Sequence, residues 1–369
     1  MSCDFISLSA PGVQDLHPYL PGKPPEELER ELGLTDVVKL ASNENPLGPS
    51  PAALAAIESS LAGISFYPDS GGYRLKQALS AKYSVAPEQV TLGNGSNDVL
   101  ELVARAYLRP EDEVIYSEYA FVVYSIVTQA CGAKAVVTPA KDWGHDLDAM
   151  FEALTARTRL IFLANPNNPT GTWVTTDQLT DFLDKIPESV LVVLDEAYIE
   201  YVQESDYPEG LQLVKRYPNL VVTRTFSKAY GLAGLRAGFA VSNEQIANVL
   251  SRVRQPFNMN NLALSAAEAA LVDDEHISKS VQVNSDGMAV YKSELPKIGL
   301  EFIPSIGNFI TVDFKTDAQP IYQTLLEQGV IVRPLANYGM PHHLRISIGT
   351  KSENERCLSA LAEVMNNIE

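Results

Sequence analysis

From about Pro51 to Asn260 the chain alternates short apolar, β-branched runs with stretches of helical period. The clearest runs are Val90-Thr91-Leu92, Val114-Ile115-Tyr116, Ala135-Val136-Val137, Leu160-Ile161-Phe162-Leu163, Val190-Leu191-Val192-Val193-Leu194 and Leu220-Val221-Val222-Thr223. A strand with one wetted face would alternate polar and apolar residues, so these near-continuous runs predict strands buried on both faces. That means a mainly parallel sheet covered by helices, an α/β architecture. Ahead of it, a short helix is expected from Pro24-Pro25 toward Gly33, with proline in its first turn and glycine past its end. After Asp273-Asp274 the rhythm changes to one long helical stretch, then strands at Glu301-Phe302-Ile303 and Phe309-Ile310-Thr311-Val312, a helix ending at Gly329, and a strand at Leu344-Arg345-Ile346-Ser347-Ile348. This predicts a second, smaller α+β domain. Its last helix opens with Ser352 and Glu355 at capping-box spacing and carries Leu358, Leu361 and Met365 on one face. The expected division is an N-terminal arm with part of the small domain over 1–50, a large ligand-binding domain over 51–274, and a small C-terminal domain over 275–369.

Charge and composition narrow the function. With 28 Lys plus Arg against 46 Asp plus Glu, the net charge is −18, which argues against nucleic acid or an anionic membrane as a partner recognised by bulk charge. Hydrophobic residues at 46% and charged residues at 20% fit a globular core and exclude disorder as the main state. Cys3, Cys131 and Cys357 are far apart, and His17, His145, His276, His342 and His343 lack ligand spacing. Neither a disulfide framework nor a metal site is expected. No run approaches the ~20 apolar residues of a membrane span, and the opening Met1-Ser2-Cys3-Asp4-Phe5 lacks the pattern of a secretory signal. The expected setting is cytoplasmic.

In parallel α/β sheets ligands collect beyond the carboxyl ends of the strands. Four such places carry candidate chemistry: Asn165-Pro166-Asn167-Asn168-Pro169-Thr170-Gly171 after Leu163, Asp195-Glu196-Ala197-Tyr198 after Leu194, Thr225-Phe226-Ser227-Lys228 with Arg236 beyond it, and Gly93-Asn94-Gly95-Ser96-Asn97-Asp98 leading into an apolar helix. The intervals between Asn168, Asp195 and Lys228 each allow one crossover, so an acid, an amide, a phenol and a lysine can share one sheet edge. A glycine-rich turn at a helix start offers free N–H groups to a phosphate, and lysine forms imines with carbonyl compounds. A phosphorylated aldehyde would suit both features. Each residue alone has an ordinary reading: Asp195 as a helix cap, Tyr198 or Tyr119 as a core ring, Arg333 and Arg345 as solvated cations at strands. Their joint order is what points to a site.

The chain resembles the fold-type-I pyridoxal-phosphate aminotransferases, and more closely the histidinol-phosphate aminotransferases. The likeness runs through Pro18-Tyr19, Pro21-Gly22-Lys23-Pro24, Leu40-Ala41-Ser42-Asn43-Glu44-Asn45-Pro46-Leu47-Gly48-Pro49-Ser50, Tyr67-Pro68-Asp69, the Asn168 loop, Ser227-Lys228 and Leu344-Arg345-Ile346-Ser347-Ile348-Gly349-Thr350. By that resemblance pyridoxal 5'-phosphate is the cofactor and Lys228 is the catalytic lysine that carries it and shuttles the proton. Asp195 is implied as partner of the ring nitrogen, Asn168 and Tyr198 as partners of the ring oxygen, and Tyr119 as the stacking ring. Ser96, Asn97, Thr225, Ser227 and Arg236 are implied as the phosphate cup, with Tyr67 reaching the phosphate of a neighbouring subunit in a homodimer. Tyr19, Arg333 and Arg345 match positions that hold the anionic end of substrate, while Asn43 and Asn308 lie in matching segments without an assigned role. The implied reaction converts L-histidinol phosphate and 2-oxoglutarate to imidazole-acetol phosphate and glutamate, a step of histidine biosynthesis. An aromatic-amino-acid aminotransferase or a phospho-amino-acid decarboxylase would share the cofactor residues. An NAD-dependent oxidoreductase would need the Gly93 loop, where Asp98 replaces the third glycine of the dinucleotide fingerprint, and a non-catalytic binder would need only the fold.

Overall fold

The computed structural model describes residues 3–18 and 22–368. Its strands, in chain order, are β1 (Val38–Lys39), β2 (Val90–Gly93), β3 (Glu113–Ser117), β4 (Lys134–Thr138), the hairpin β5 (Ala140–Lys141) and β6 (Gly144–His145), β7 (Thr158–Ala164), β8 (Leu191–Asp195), β9 (Leu220–Thr225), β10 (Gly238–Val241), β11 (Glu301–Ile303), β12 (Phe309–Asp313), β13 (Val330–Ile331), β14 (Arg333–Pro334) and β15 (His343–Ser347). The six apolar runs become β2, β3, β4, β7, β8 and β9 of a seven-stranded sheet with order β2-β10-β9-β8-β7-β3-β4. Its one antiparallel member, β10, pairs with both β2 and β9.

The doubly buried reading of these runs holds for β2, β3, β7, β8 and β9 and fails for β4, an edge strand on which Ala135 and Val137 are exposed. Ile161, Leu163, Val192, Leu194, Leu220 and Val222 enter the core on one face of the sheet. Leu160, Phe162, Leu191, Val193 and Val221 enter the core on the other. This is the period-two alternation of a strand with both faces apolar. Gly238 on β10 is required by close approach, since a Cβ there would lie 2.3 Å from the Ser96 nitrogen. The helix Ser96–Tyr107 thus starts directly against that strand.

The smaller sheet has the order β11-β12-β15-β14 and its own core around Ile310, Val312, Leu344, Ile346 and Leu361. The N-terminal segment joins it: β1 runs parallel to β13, and Leu28 from the helix Pro25–Leu32 packs with Ile331 and Leu326. The helix Asp274–Glu294 runs between the two cores, with Ile277 against the large one and Met288 and Tyr291 inside the small one. The terminal helix Lys351–Ile368 is capped at Thr350, two residues earlier than the expected Ser352. Glu353, not Glu355, reaches back to the Thr350 nitrogen at 2.7 Å, and the Glu353 N–H donates to the Thr350 hydroxyl at 3.4 Å. Among the described residues, no helix is long and apolar enough to cross a membrane.

Candidate active site

All parallel strands of the large sheet end on one edge, and the four segments singled out in the sequence leave from it. They border a cavity of about 380 Å³ whose opposite wall comes from Ala41-Ser42-Asn43, Arg333, Tyr338 and Arg345. The site therefore lies where the two cores meet.

Asp195 ends β8 and is 4% exposed. Its two carboxylate oxygens accept from Tyr124 and Thr223 hydroxyls, each at 2.9 Å. Burial raises its proton affinity and these two bonds oppose the rise. Lys228, three residues past the end of β9, faces the cavity and donates from Nζ to the Ser42 carbonyl at 2.8 Å. Burial, with the Arg345 charge second, lowers its pKa to about 7, so near neutrality much of the amine is unprotonated and nucleophilic. Tyr198 is fully enclosed, and burial pushes its hydroxyl up to about 12, which keeps it a proton donor. Asn43 donates to that hydroxyl at 3.0 Å. Asn43 is itself fixed by the Ser347 hydroxyl, which accepts from its N–H at 2.7 Å, and by Asn308, which donates to its carbonyl at 3.0 Å.

At one end of the cavity, the helix Ser96–Tyr107 presents its N-terminus after Gly95, whose φ of +88° suits glycine. A Cβ on Gly95 would lie 2.3 Å from an Arg236 Nη2 atom, so the missing side chain makes room for that guanidinium. Arg236 donates to the Ser227 hydroxyl at 3.0 Å, and the Ser227 N–H donates to the Thr225 hydroxyl at 3.1 Å. Free helix-start amides, hydroxyls and a guanidinium form an anion cradle. At the other end Arg345 donates to Asn168 Oδ1 and, at 2.7 Å, to the Ala41 carbonyl, while its guanidinium lies 5.4 Å from the Phe309 ring centroid. Arg333, 7% exposed, lines the same wall.

The cavity so built has an anion cradle, a buried acid, a neutral-leaning lysine and, at its other end, two further guanidinium groups. The sequence matches the family model for aminotransferase class I and II over residues 35–361. The chain belongs to that aminotransferase family. It is 59% identical over 367 residues to histidinol-phosphate aminotransferase 2 of Pseudomonas fluorescens Pf-5, covering 99% of each chain. It is 57% identical over 364 residues to histidinol-phosphate aminotransferase 2 of Pseudomonas aeruginosa, covering 98% of this chain and 99% of the other. The histidinol-phosphate aminotransferase of Sinorhizobium meliloti, solved in complex with pyridoxal-5'-phosphate, superposes with a TM-score of 0.89 at 30% identity, covering 97% of this chain and 98% of that one. A double mutant of aspartate aminotransferase from Thermus thermophilus shares the fold, with a TM-score of 0.84 at 23% identity, covering 96% and 99%.

Most of the residues expected from sequence meet in this aminotransferase's cavity: Ser96, Asn97, Asn168, Asp195, Tyr198, Thr225, Ser227, Lys228, Arg236, Arg333 and Arg345. Two do not. Tyr119 turns away, its ring 5.2 Å from that of Trp143, and the aromatic that reaches the cavity from this segment is Phe121. Phe121 immediately precedes the helix Val122–Ala130, and the chain's turn into that helix decides which of the two rings points inward. Tyr67 is 82% exposed and stacks on Phe257 at 4.6 Å, outside this cavity. Tyr19 lies outside the described residues. Sequence reasoning missed Tyr124, Thr223 and Phe121 and gave Asn43 no role. Tyr124 follows Phe121 by one helical turn, the only local hint that both serve one place.

Proposed function

We propose that this aminotransferase moves the amino group of L-histidinol phosphate to 2-oxoglutarate, giving imidazole-acetol phosphate and glutamate. It would use pyridoxal 5'-phosphate and act as a cytoplasmic homodimer. Relatives 57–59% identical over nearly the whole chain carry the name histidinol-phosphate aminotransferase, and the Sinorhizobium meliloti neighbour holds pyridoxal-5'-phosphate. The observation that carries the reading is the joint presence, around one cavity, of Lys228, the buried Asp195 carboxylate held only by neutral hydroxyls, and the Gly95–Arg236 cradle. These fit, in turn, an aldehyde carbon, a cationic ring nitrogen and a phosphate.

When bound, pyridoxal phosphate supplies an electron sink for the charge left as a substrate carbon loses its proton. The chain's part is to aim and hold. Ser96, Asn97, Thr225, Ser227 and Arg236 would bind the phosphate, Asp195 would keep a proton on the ring nitrogen, Asn168 and Tyr198 would hold the ring oxygen, and Phe121 would wall the ring. Lys228 Nζ, with its lowered proton affinity, would take the proton from the substrate carbon and give it up to the cofactor carbon on the other side of the transferred nitrogen. Arg345 and Arg333 grip the substrate phosphate in one half-reaction and a carboxylate in the other, since a guanidinium fork accepts both anions. Amino donor and acceptor then use one site in turn.

With 2-oxoglutarate as acceptor, histidinol phosphate is expected to exceed phenylalanine and threonine phosphate in kcat/KM by at least about tenfold, because of the three donors only histidinol phosphate joins an aromatic ring to a phosphate for the arginine pair. A preference for phenylalanine contradicts the substrate assignment, and release of carbon dioxide from threonine phosphate marks a decarboxylase.

The homodimer reading is supported by an exposed apolar surface at Leu61, Ile64, Phe66 and Tyr67. In that dimer Tyr67 reaches the phosphate cradle of the neighbouring subunit. Mixing inactive Lys228→Ala and Tyr67→Ala proteins should then restore about a quarter of wild-type activity, as half of the random dimers carry one intact site. No recovery under exchange of subunits contradicts a shared site.

A further inference from the structure

Glu196 follows the cofactor acid directly, and successive strand residues face opposite ways. Asp195 turns to the cavity, while Glu196 turns behind the sheet, where its side chain is fully buried. There Arg224 donates to Glu196 Oε2 from Nε at 2.9 Å and from Nη2 at 2.7 Å. The Gly210 N–H donates to Oε1 at 3.2 Å, and a Cβ on Gly210 would fall 2.3 Å from that oxygen. The same two strand ends are thus clamped twice: Thr223 holds Asp195 on the cavity face, and Arg224, the next residue, holds Glu196 on the far face. Neither Arg224 nor Glu196 lines the cavity. Around the pair stand the Tyr83 ring, 5.0 Å from the guanidinium, with Tyr207 and Tyr230 and the Glu200 carboxyl, which burial pushes up to about 7; Lys82 acts on Glu200.

We propose that the Arg224–Glu196 pair is a positioning and charge-balancing device for Asp195: it cancels the adjacent buried carboxylate and fixes the strand end from behind, leaving Asp195 as the anion offered to the cofactor. The proposal rests on the pyridoxal-phosphate reading given above. Two buried carboxylates on neighbouring residues oppose each other's ionisation, so one of them needs a cation of its own. Arg224, spent on Glu196, supplies it, and Asp195 keeps only neutral donors.

The test is the pH midpoint of the absorbance change of the bound cofactor, read on holoenzyme alongside its thermal unfolding. Arg224→Gln strands a negative charge and should raise the midpoint by about one pH unit, while Glu196→Gln strands a positive charge and should lower it by a similar amount. The double Glu196→Gln, Arg224→Gln protein should return to within about 0.3 unit of wild type, and Arg224→Lys, which keeps the cation, should abolish most of the shift seen in Arg224→Gln. Shifts of one sign in both single variants, or unchanged midpoints beside lowered melting temperatures, reduce the pair to a structural brace and overturn the proposal. Should Arg224→Gln fail to accumulate, the direction seen in Glu196→Gln decides alone. A wild-type protein without cofactor absorbance would instead overturn the cofactor reading.

Discussion

Lys228→Ala should lower kcat for transamination by at least about 10³-fold, because one substitution removes both the amine proposed to hold the cofactor and the base proposed to move the proton. The cavity has no obvious substitute within reach. Among the described residues Lys228 is the only lysine that lines the cavity, and the arginines in its walls stay protonated and cannot serve as amine or base. The pH dependence has a definite sign. A lysine with a pKa lowered to about 7 gains its nucleophilic form as pH rises through neutrality, so capture of cofactor by the apoprotein should accelerate across pH 6 to 8 and then level. A surface lysine would keep accelerating toward pH 10. Stopped-flow absorbance with excess pyridoxal phosphate separates the two, and multiple-turnover transamination by purified Lys228→Ala would contradict the role.

Asp195→Asn should cost on the order of 10³-fold in kcat with a much smaller change in melting temperature. The substitution nearly preserves shape but removes the charge proposed to keep a proton on the ring nitrogen. It also turns an Nδ2 group toward either the Tyr124 or the Thr223 hydroxyl, both of which now donate to carboxylate oxygens. Loss of the charge slows the step that breaks the substrate C–H bond, so the isotope effect with donor deuterated at that carbon should rise toward its intrinsic value. A variant with unchanged isotope effect and activity within about threefold of wild type would contradict Asp195 as the partner of the ring nitrogen.

Much of this was legible in the sequence, and the reasons differ by element. Five strands of the large sheet announced themselves because burial on both faces leaves an unbroken apolar run, whereas the sixth, β4, is an exposed edge strand that shares only the β-branched composition. The strand Gly238–Val241 did not, since four residues beginning with glycine carry too little periodicity, and its antiparallel pairing depends on the two strands beside it. Strand-end positions found the cavity residues because a parallel sheet gathers its carboxyl ends. Which of Tyr119 and Phe121 points inward depends on how the backbone enters the next helix, something residue type does not encode. The Asn43 hub joins Tyr198, Asn308 and Ser347, partners up to 304 positions away, and no local pattern encodes contacts of that range. The terminal helix was mis-capped because Ser352 and Glu355 have the same spacing as Thr350 and Glu353, and only geometry chooses between them. Tyr67 makes no contact with its own cavity, so its assignment is a statement about an assembly and needs the mixing experiment.

The central claim is a covalent attachment at Lys228 inside this cavity. Holoenzyme reduced with borohydride, digested and mapped by mass spectrometry should carry a single phosphopyridoxyl group on the peptide containing Lys228, and the modified protein should be inactive. A reduced protein with that peptide unmodified, or with the label on another lysine and activity intact, would contradict the account.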